Sequence, residues 1–230
     1  MSILPLSNPM RVLRASAVLL VAGAIVSGSV AAAVAAGPSA APAGSTHSAS
    51  VPDPVPVTVD PASTAYLVLD LTTAVCAPRP GCVATLPAAA ALLARARAAG
   101  AMVVYSQTAA AGSQILPEVA PLPGDPVVTA RADKFFNTDL DSILSSHGIK
   151  TLVLVGTAAN GAVLYTTFEA NLRGYTVVVA EDGVSANSGY ITHYTLFQLL
   201  NQPGFTNPQN TPLKTGDVTL STGPLVTFGA

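Results

Sequence analysis

Charged residues are scarce in this chain of 230 residues, which has 10 Lys and Arg, 12 Asp and Glu, and a formal net charge of -2. A near-neutral chain lacks the basic patch that nucleic-acid-binding proteins carry, so we expect no nucleic-acid partner. Glycine patterns that bind phosphate are absent too, and nothing in the sequence indicates a nucleotide or any other cofactor. The chain is instead 50% hydrophobic, and its length predicts one core of ordinary size.

The apolar excess is concentrated near the N-terminus. Residues 15–36 form a run without any charge, and Arg11 and Arg14 precede it. Small residues at positions 33–36 complete the pattern of a secretory signal peptide, which we predict over residues 1–36 of a secreted or cell-envelope protein. An uncleaved anchor is the alternative, because the run is just long enough to span a bilayer, and it would be the chain's membrane contact.

The segment after this run has a different composition. Residues 37–61 are rich in Pro, Ala, Ser and Gly. This composition predicts a solvated, partly extended linker, and one folded domain is therefore expected over residues 62–230.

Cysteine is also scarce, since the chain has only Cys76 and Cys82, in a loop punctuated by Pro and Gly. In an exported protein this arrangement predicts one disulfide bond. The alternative is a reactive thiol at Cys76, shortly after Asp70 in the chain. An enzyme that used this thiol would leave both cysteines reduced.

Apolar segments alternate with helical patterns from residue 65 onward. This alternation predicts βαβ crossovers and a mostly parallel sheet. The predicted strands are residues 65–69, 101–105, 126–129, 151–155, 175–180 and 217–220, and the predicted helices are residues 86–99, 137–147, 160–173 and 188–201. Parallel strands end at one edge of a sheet, where active sites of open α/β folds lie. Asp70, Gln107 and Thr157 are expected at that edge.

Four segments together resemble the isochorismatase-like hydrolases, also called the cysteine hydrolases. Residues 67–70 resemble the family's first strand with its catalytic aspartate, and residues 135–144 resemble a helix start; residues 156–163 resemble the nucleophile turn, and residues 177–182 the strand that follows it. The resemblance implies a three-layer α/β/α fold with strand order 3-2-1-4-5-6. It also implies a small-molecule substrate and leaves open a homo-oligomer.

The resemblance further implies a catalytic Asp, Lys and Cys, of which this chain matches only part. Asp70 matches the aspartate, but Ala162 stands at the cysteine position, so no thiol ester can form there. Thr129 stands at the lysine position, and we expect Lys134 to reach back to Asp70. An ammonium within about 4 Å would be expected to lower the pKa of the Asp70 carboxyl. The alternative for Lys134 is a surface ion pair with Asp133 or Asp139.

Other expected site residues follow from the same resemblance. Gln107 resembles a glutamine that meets substrate in the isochorismatase branch, where a small residue also stands at the position of Ala162 and a carboxyl group acts as general acid. Thr157, Asn160 and Ala162 are expected to contribute to substrate binding, with Asn160 also as a helix N-cap. A non-proline cis peptide is implied after Thr157. Residues 106–125 contain no His, so we predict no metal site.

These observations favour an exported hydrolase of a small molecule that uses Asp70 and Lys134 without a cysteine nucleophile. The alternative is an inactive domain of the same fold that binds a small ligand or a protein partner. The thiol enzyme built on Cys76 is a third reading.

Overall fold

The computed structural model describes residues 50–229. The predicted signal peptide and most of the predicted linker lie outside the described residues. Within the described part of the chain, no helix has the length and apolar character needed to cross a membrane.

Six parallel strands form the central sheet. The strands of the described chain are β1 (Val57–Val59), β2 (Thr64–Leu69), β3 (Met102–Gln107), β4 (Val127–Thr129), β5 (Thr151–Thr157), β6 (Thr176–Ser185), β7 (Asn201–Gln202), β8 (Phe205–Thr206), β9 (Val218–Ser221) and β10 (Val226–Phe228). The central sheet has the order β4-β3-β2-β5-β6-β9. Counted along the six strands in chain order, this is the predicted order 3-2-1-4-5-6.

Five helices accompany the sheet, namely α1 (Pro80–Val83), α2 (Leu86–Ala98), α3 (Leu140–Ser146), α4 (Leu164–Leu172) and α5 (Gly189–Leu200) in the described residues. A π-helical turn, Ala159–Val163, precedes α4. α5 begins as predicted, because the Ser188 hydroxyl accepts a hydrogen bond from the Ile191 N–H at 3.3 Å. The helix predicted from residue 137 begins only at Leu140, because Asn137 adopts a left-handed backbone conformation with φ 54°.

The two faces of the sheet bury different sets of side chains, because successive residues of a strand point to opposite faces. One face packs residues such as Leu67 and Leu154 against α3, α4 and α5, where Leu144 and Leu199 are fully buried. The other face packs residues such as Tyr66 against α2. Helices on both faces give the predicted three-layer α/β/α architecture, and strands buried on both sides explain their near-continuous apolar sequences.

The structure differs from the linker prediction at residues 57–59. These residues form β1, which pairs in parallel with β10. Val57 and Val59 are buried against the α2 face of the sheet, while Thr58 between them is exposed. Alternating apolar residues thus continue the core into a segment whose Pro-rich surroundings suggested a solvated linker.

Candidate active site

Strands β2 and β5 lie unusually close together where they end. Leu69 pairs with Gly156, and a Cβ atom at Gly156 would lie only 2.2 Å from the Leu69 carbonyl oxygen. Gly156 also has φ +143°, which L side chains rarely adopt. Only glycine fits here, and its close approach brings the turn after β5 beside Asp70.

Asp70 follows β2 and is the centre of a buried polar cluster. Its Oδ2 accepts a hydrogen bond from the Lys134 ammonium at 2.7 Å, and its Oδ1 accepts one from the Ser106 hydroxyl at 2.8 Å. The side chains of Asp70 and Lys134 are only 4% and 0% exposed. Asp70 also has a left-handed backbone with φ 53°, an uncommon conformation that tends to occur at functional sites.

Lys134 is held from several sides. Besides Asp70, its ammonium donates to the carbonyl oxygens of Ala130 at 3.2 Å and Arg131 at 2.5 Å. Its backbone N–H donates to the Thr166 hydroxyl at 3.2 Å. An ammonium has three donors, and all three have partners here. The structure therefore brings Lys134 to Asp70 as expected, and the alternative of a surface ion pair with a neighbouring aspartate is wrong.

The electrostatics of Asp70 differ from the expectation. Burial raises the pKa of the Asp70 carboxyl above its ordinary value of 3.8, while the charge and hydrogen bond of Lys134 and the hydrogen bond of Ser106 act in the opposite direction with smaller effect. The prediction that the nearby ammonium lowers this pKa overall is wrong, because the carboxylate loses more hydration than its partners replace. A carboxyl group with a raised pKa keeps its proton to higher pH and can act as a general acid.

The turn after β5 has the expected cis peptide and lacks the expected helix cap, and the expected role of Ala162 in substrate binding stays a prediction. The peptide bond between Thr157 and Ala158 is cis, as the resemblance implied. Ala162 lies in the π-helical turn, is 3% exposed and packs in the apolar core. Asn160 does not cap a helix, since the helical segment already begins at Ala159 and the Asn160 side chain is exposed. The N-cap prediction for Asn160 is therefore wrong.

The remaining expected site residues lie at the same edge without contacting Asp70 through a hydrogen bond in the described structure. The Thr157 hydroxyl donates to the Ser185 carbonyl oxygen at 3.1 Å. The Gln107 amide donates to the hydroxyl of Thr129 at 3.3 Å. Thr129, for which the resemblance implies the family's lysine position, is therefore bonded to Gln107, and Lys134 makes the contact with Asp70.

Cys76 and Cys82 form the predicted disulfide bond, and both are fully buried. The full sequence contains no other cysteine. The thiol-enzyme reading is therefore wrong for the structure described, because neither sulfur is available as a nucleophile.

A cavity of about 650 Å³ opens between the disulfide loop, the end of β6 and the beginning of α5. Arg79 of the loop and Ser185 of β6 are among its lining residues. The sequence alone suggested no role for Ser106, Arg79 or Ser185. Their positions at strand ends and inside the cysteine loop were the available signal.

Comparisons with known proteins agree with this architecture. Residues 64–208 match the family model of the isochorismatase domain. The fold is similar to an isochorismatase family protein from Burkholderia thailandensis (26% identity, TM-score 0.59, covering 75% of this chain and 96% of that one). It is also similar to N-carbamoylsarcosine amidase from Thermoplasma acidophilum (25%, 0.56, 70% and 96%). A cysteine hydrolase from Pseudomonas syringae pv. phaseolicola shares the fold (20%, 0.62, 75% and 94%). The chain therefore belongs to the isochorismatase family and has its hydrolase fold.

Proposed function

We propose that this protein hydrolyses a small molecule with Asp70 as general acid or base and without a cysteine nucleophile. The observation that carries this proposal is the buried contact between Asp70 Oδ2 and Lys134 Nζ at 2.7 Å, placed at the carboxyl edge of the sheet. Residue 162, for which the resemblance implies the cysteine position, is alanine, and the proposal therefore takes water as the nucleophile.

The proposed chemistry uses Asp70 as the group that moves the proton, and burial raises the pKa of its carboxyl. A protonated Asp70 can donate its proton to the leaving group while a water molecule attacks the atom from which that group departs. The oxygen of the attacking water then gives a proton to the Asp70 carboxylate, which restores the acid. Lys134 and Ser106 hold the two carboxylate oxygens in place by the hydrogen bonds described above. Because these partners favour the ionised form, they limit how far burial raises the pKa.

Export is part of the proposal. A buried disulfide supports it, because such bonds persist in oxidising compartments and are rare in the cytosol. N-terminal sequencing of the protein recovered from outside the cytoplasm tests it. A mature chain that begins near residue 37 is expected, and recovery only from the cytoplasm with residue 1 or 2 at its N-terminus would contradict export.

A second candidate function is supported by the burial of Asp70 and Lys134. Both side chains are nearly inaccessible to solvent, and the Lys134 ammonium has all its acceptors inside the protein. This arrangement also suits a domain of the family that no longer turns over substrate and binds a small ligand or a protein partner instead.

A hydrolysis screen separates the two functions. The mature protein is assayed with panels of small amides, esters and vinyl ethers, before and after treatment with iodoacetamide. The proposal predicts turnover of at least one class, with a rate that iodoacetamide leaves unchanged because both cysteines are bonded. Absence of turnover in all three classes would favour the binding domain, and loss of rate on alkylation would contradict catalysis without a thiol.

A further inference from the structure

Large apolar side chains are exposed mainly on one side of the sheet. Six of the nine that residues 50–229 expose lie on α4, on α5 or on the loop beside α4, namely Phe136, Tyr165, Phe168, Leu172, Tyr190 and Tyr194. Single exposed apolar residues are ordinary in folded proteins, but a contiguous group of them marks a surface that another molecule covers. The question is therefore whether these side chains are contiguous.

The exposed face of α4 forms a continuous apolar surface. Tyr165, Phe168 and Leu172 follow one another at intervals of three and four residues, so they share one side of the helix. Tyr165 and Phe168 line a groove of about 200 Å³ together with Pro203. The Phe168 ring also meets the edge of the Phe205 ring, with the ring centres 6.0 Å apart. The hairpin of β7 and β8 thus extends the apolar face of α4.

The loop that carries Phe136 runs alongside the same helix. The Lys134 N–H donates to the hydroxyl of Thr166 on α4 at 3.2 Å. The guanidinium of Arg173, which follows α4, lies 5.1 Å from the centre of the Phe135 ring. Phe136 comes next in the chain and is exposed. We call the exposed apolar surface made by this loop, α4 and the hairpin the α4 patch; its residues are Phe136, Tyr165, Phe168, Leu172, Pro203 and Phe205.

The α4 patch is uncharged, and the charges at its border are already paired. Arg173 pairs with Glu169 at 2.6 Å and with Asp141 at 3.3 Å. α5 contains no Asp, Glu, Lys or Arg, and neither does the hairpin of residues 201–206. A strongly charged partner would find no counter-charge here, and a membrane surface would find few of the basic residues with which helices bind lipid headgroups. The partner should therefore present a neutral apolar surface of its own.

We propose that a second copy of this chain covers the α4 patch in a two-fold symmetric dimer. The patch exposes roughly 500 Å² of apolar surface, if a whole large side chain has about 200 Å². A stable interface buries about 800 Å² per partner, of which somewhat more than half is non-polar. The patch therefore has the apolar area that a dimer of standard size needs.

The symmetry of such a dimer suits an uncharged surface. A two-fold axis brings the same patch of both copies together, so each residue meets a surface of its own kind. Two neutral patches do this without repulsion between like charges. This interface does not depend on the proposed hydrolase activity.

The oligomeric state of the mature protein tests the proposal without any assay of activity. Analytical ultracentrifugation from about 1 to about 100 μM is expected to show a dimer whose fraction rises with protein concentration. A monomer over the whole range would overturn the proposal. Sedimentation of such a monomer with phosphatidylcholine vesicles would then show whether a lipid surface covers the patch instead.

Two matched leucines locate the interface. Leu172 in the patch and Leu122 in the loop before β4 are 54% and 55% exposed, so lysine at either position adds the same charge at the same exposure. Leu172→Lys should raise the dissociation constant of the dimer at least about 30-fold, because the interface would bury an unpaired charge. Leu122→Lys, outside the patch, should change it less than about 3-fold.

A second patch variant covers the case in which Leu172→Lys does not fold. Phe136→Lys lies in a loop and should weaken the dimer at least about 10-fold for the same reason. Circular dichroism verifies that each variant is folded. A dimer of full affinity in the folded patch variants, or an equal loss in Leu122→Lys, would contradict an interface at the α4 patch.

Discussion

Two polar regions lie at the carboxyl edge of the sheet and differ in how their hydrogen bonds are completed. In the first, the Lys134 ammonium donates to one carboxylate oxygen of Asp70, and the Ser106 hydroxyl donates to the other. In the second, Arg79 and Ser185 line an open cavity, and each keeps an atom without a hydrogen-bond partner in the described residues. We call the first the paired corner and the second the open cavity.

The difference separates two uses of buried polar groups in one site. In the paired corner, the buried side chains of Asp70, Lys134 and Ser106 satisfy one another's hydrogen bonds, so removing one of them leaves another without its partner. The open cavity has two residues with buried polar atoms that lack partners among the described residues, at a cost to the stability of the protein. Mutations in the two regions should therefore differ in both size and sign.

The largest expected effect is in the paired corner. Asp70→Ala leaves the Lys134 ammonium buried without its counter-charge and should lower the free energy of unfolding by about 3–5 kcal/mol. The double variant Asp70→Ala/Lys134→Met removes both charges and should recover most of that loss. Urea unfolding measures both, with Arg79→Gln as the control from the open cavity, for which a change within about 0.5 kcal/mol is expected. A double variant as unstable as Asp70→Ala would show that the charge is not the cause.

The disulfide closes the loop whose residues line the open cavity. Replacing both Cys76 and Cys82 by Ala should lower the free energy of unfolding by about 2 kcal/mol, the loop-closure entropy of so short a loop. Urea unfolding curves measure the effect, and an unchanged free energy of unfolding would show that the bond does not stabilise the folded chain.

Replacing either of two serines near strand ends by alanine should change the free energy of unfolding in opposite directions. Ser106 donates to Asp70 at 2.8 Å, so Ser106→Ala should lower the free energy of unfolding by about 1–3 kcal/mol. Ser185→Ala removes a buried hydroxyl that has no partner among the described residues and should raise it by about 1 kcal/mol in the ligand-free protein. Thermal unfolding of the two variants is the measurement, and a change of the same sign in both would remove the distinction between the regions.

A smaller effect concerns the titration of Asp70. Its carboxyl should titrate above 3.8, and Ser106→Ala should raise this pKa further because the lost hydrogen bond favoured the ionised form. A pKa that is higher in the folded than in the unfolded protein contributes stability that is complete below the unfolded pKa. That contribution is lost as the pH rises through the folded pKa. Carbon-13 NMR of labelled Asp residues measures the titration, and an Asp70 pKa below 3.8 would contradict dominance by burial.

Much of the fold could be predicted because the central strands are continuous apolar runs separated by helical patterns. β2 and β5 illustrate this, since both are buried along nearly their whole length. The pairing of β1 with β10 was missed because it joins Val57 to Val226, two short segments far apart in the chain. Local sequence contains no signal for such a long-range pair.

The sequence predicted which residues of the candidate site meet, but it did not predict the direction of the Asp70 pKa shift. Asp70 and Lys134 could be brought together from motif spacing and side-chain length, as the structure places them. The direction of the Asp70 pKa could not, because it depends on how deeply the carboxyl is buried. The unpaired atoms of Arg79 and Ser185 are likewise visible only when every neighbouring donor and acceptor has a position.

Asp70 is tested as the proton-transferring group by the ratio of kcat/KM between the wild type and Asp70→Asn, measured on whichever substrate the hydrolysis screen identifies. Asparagine keeps the shape of the side chain and an oxygen acceptor for Lys134, and circular dichroism can verify that the variant is folded. We expect a loss of at least about 100-fold, the lower range for removing a general acid or base. An unchanged kcat/KM in the folded variant would contradict the assignment of Asp70 as the group that moves the proton.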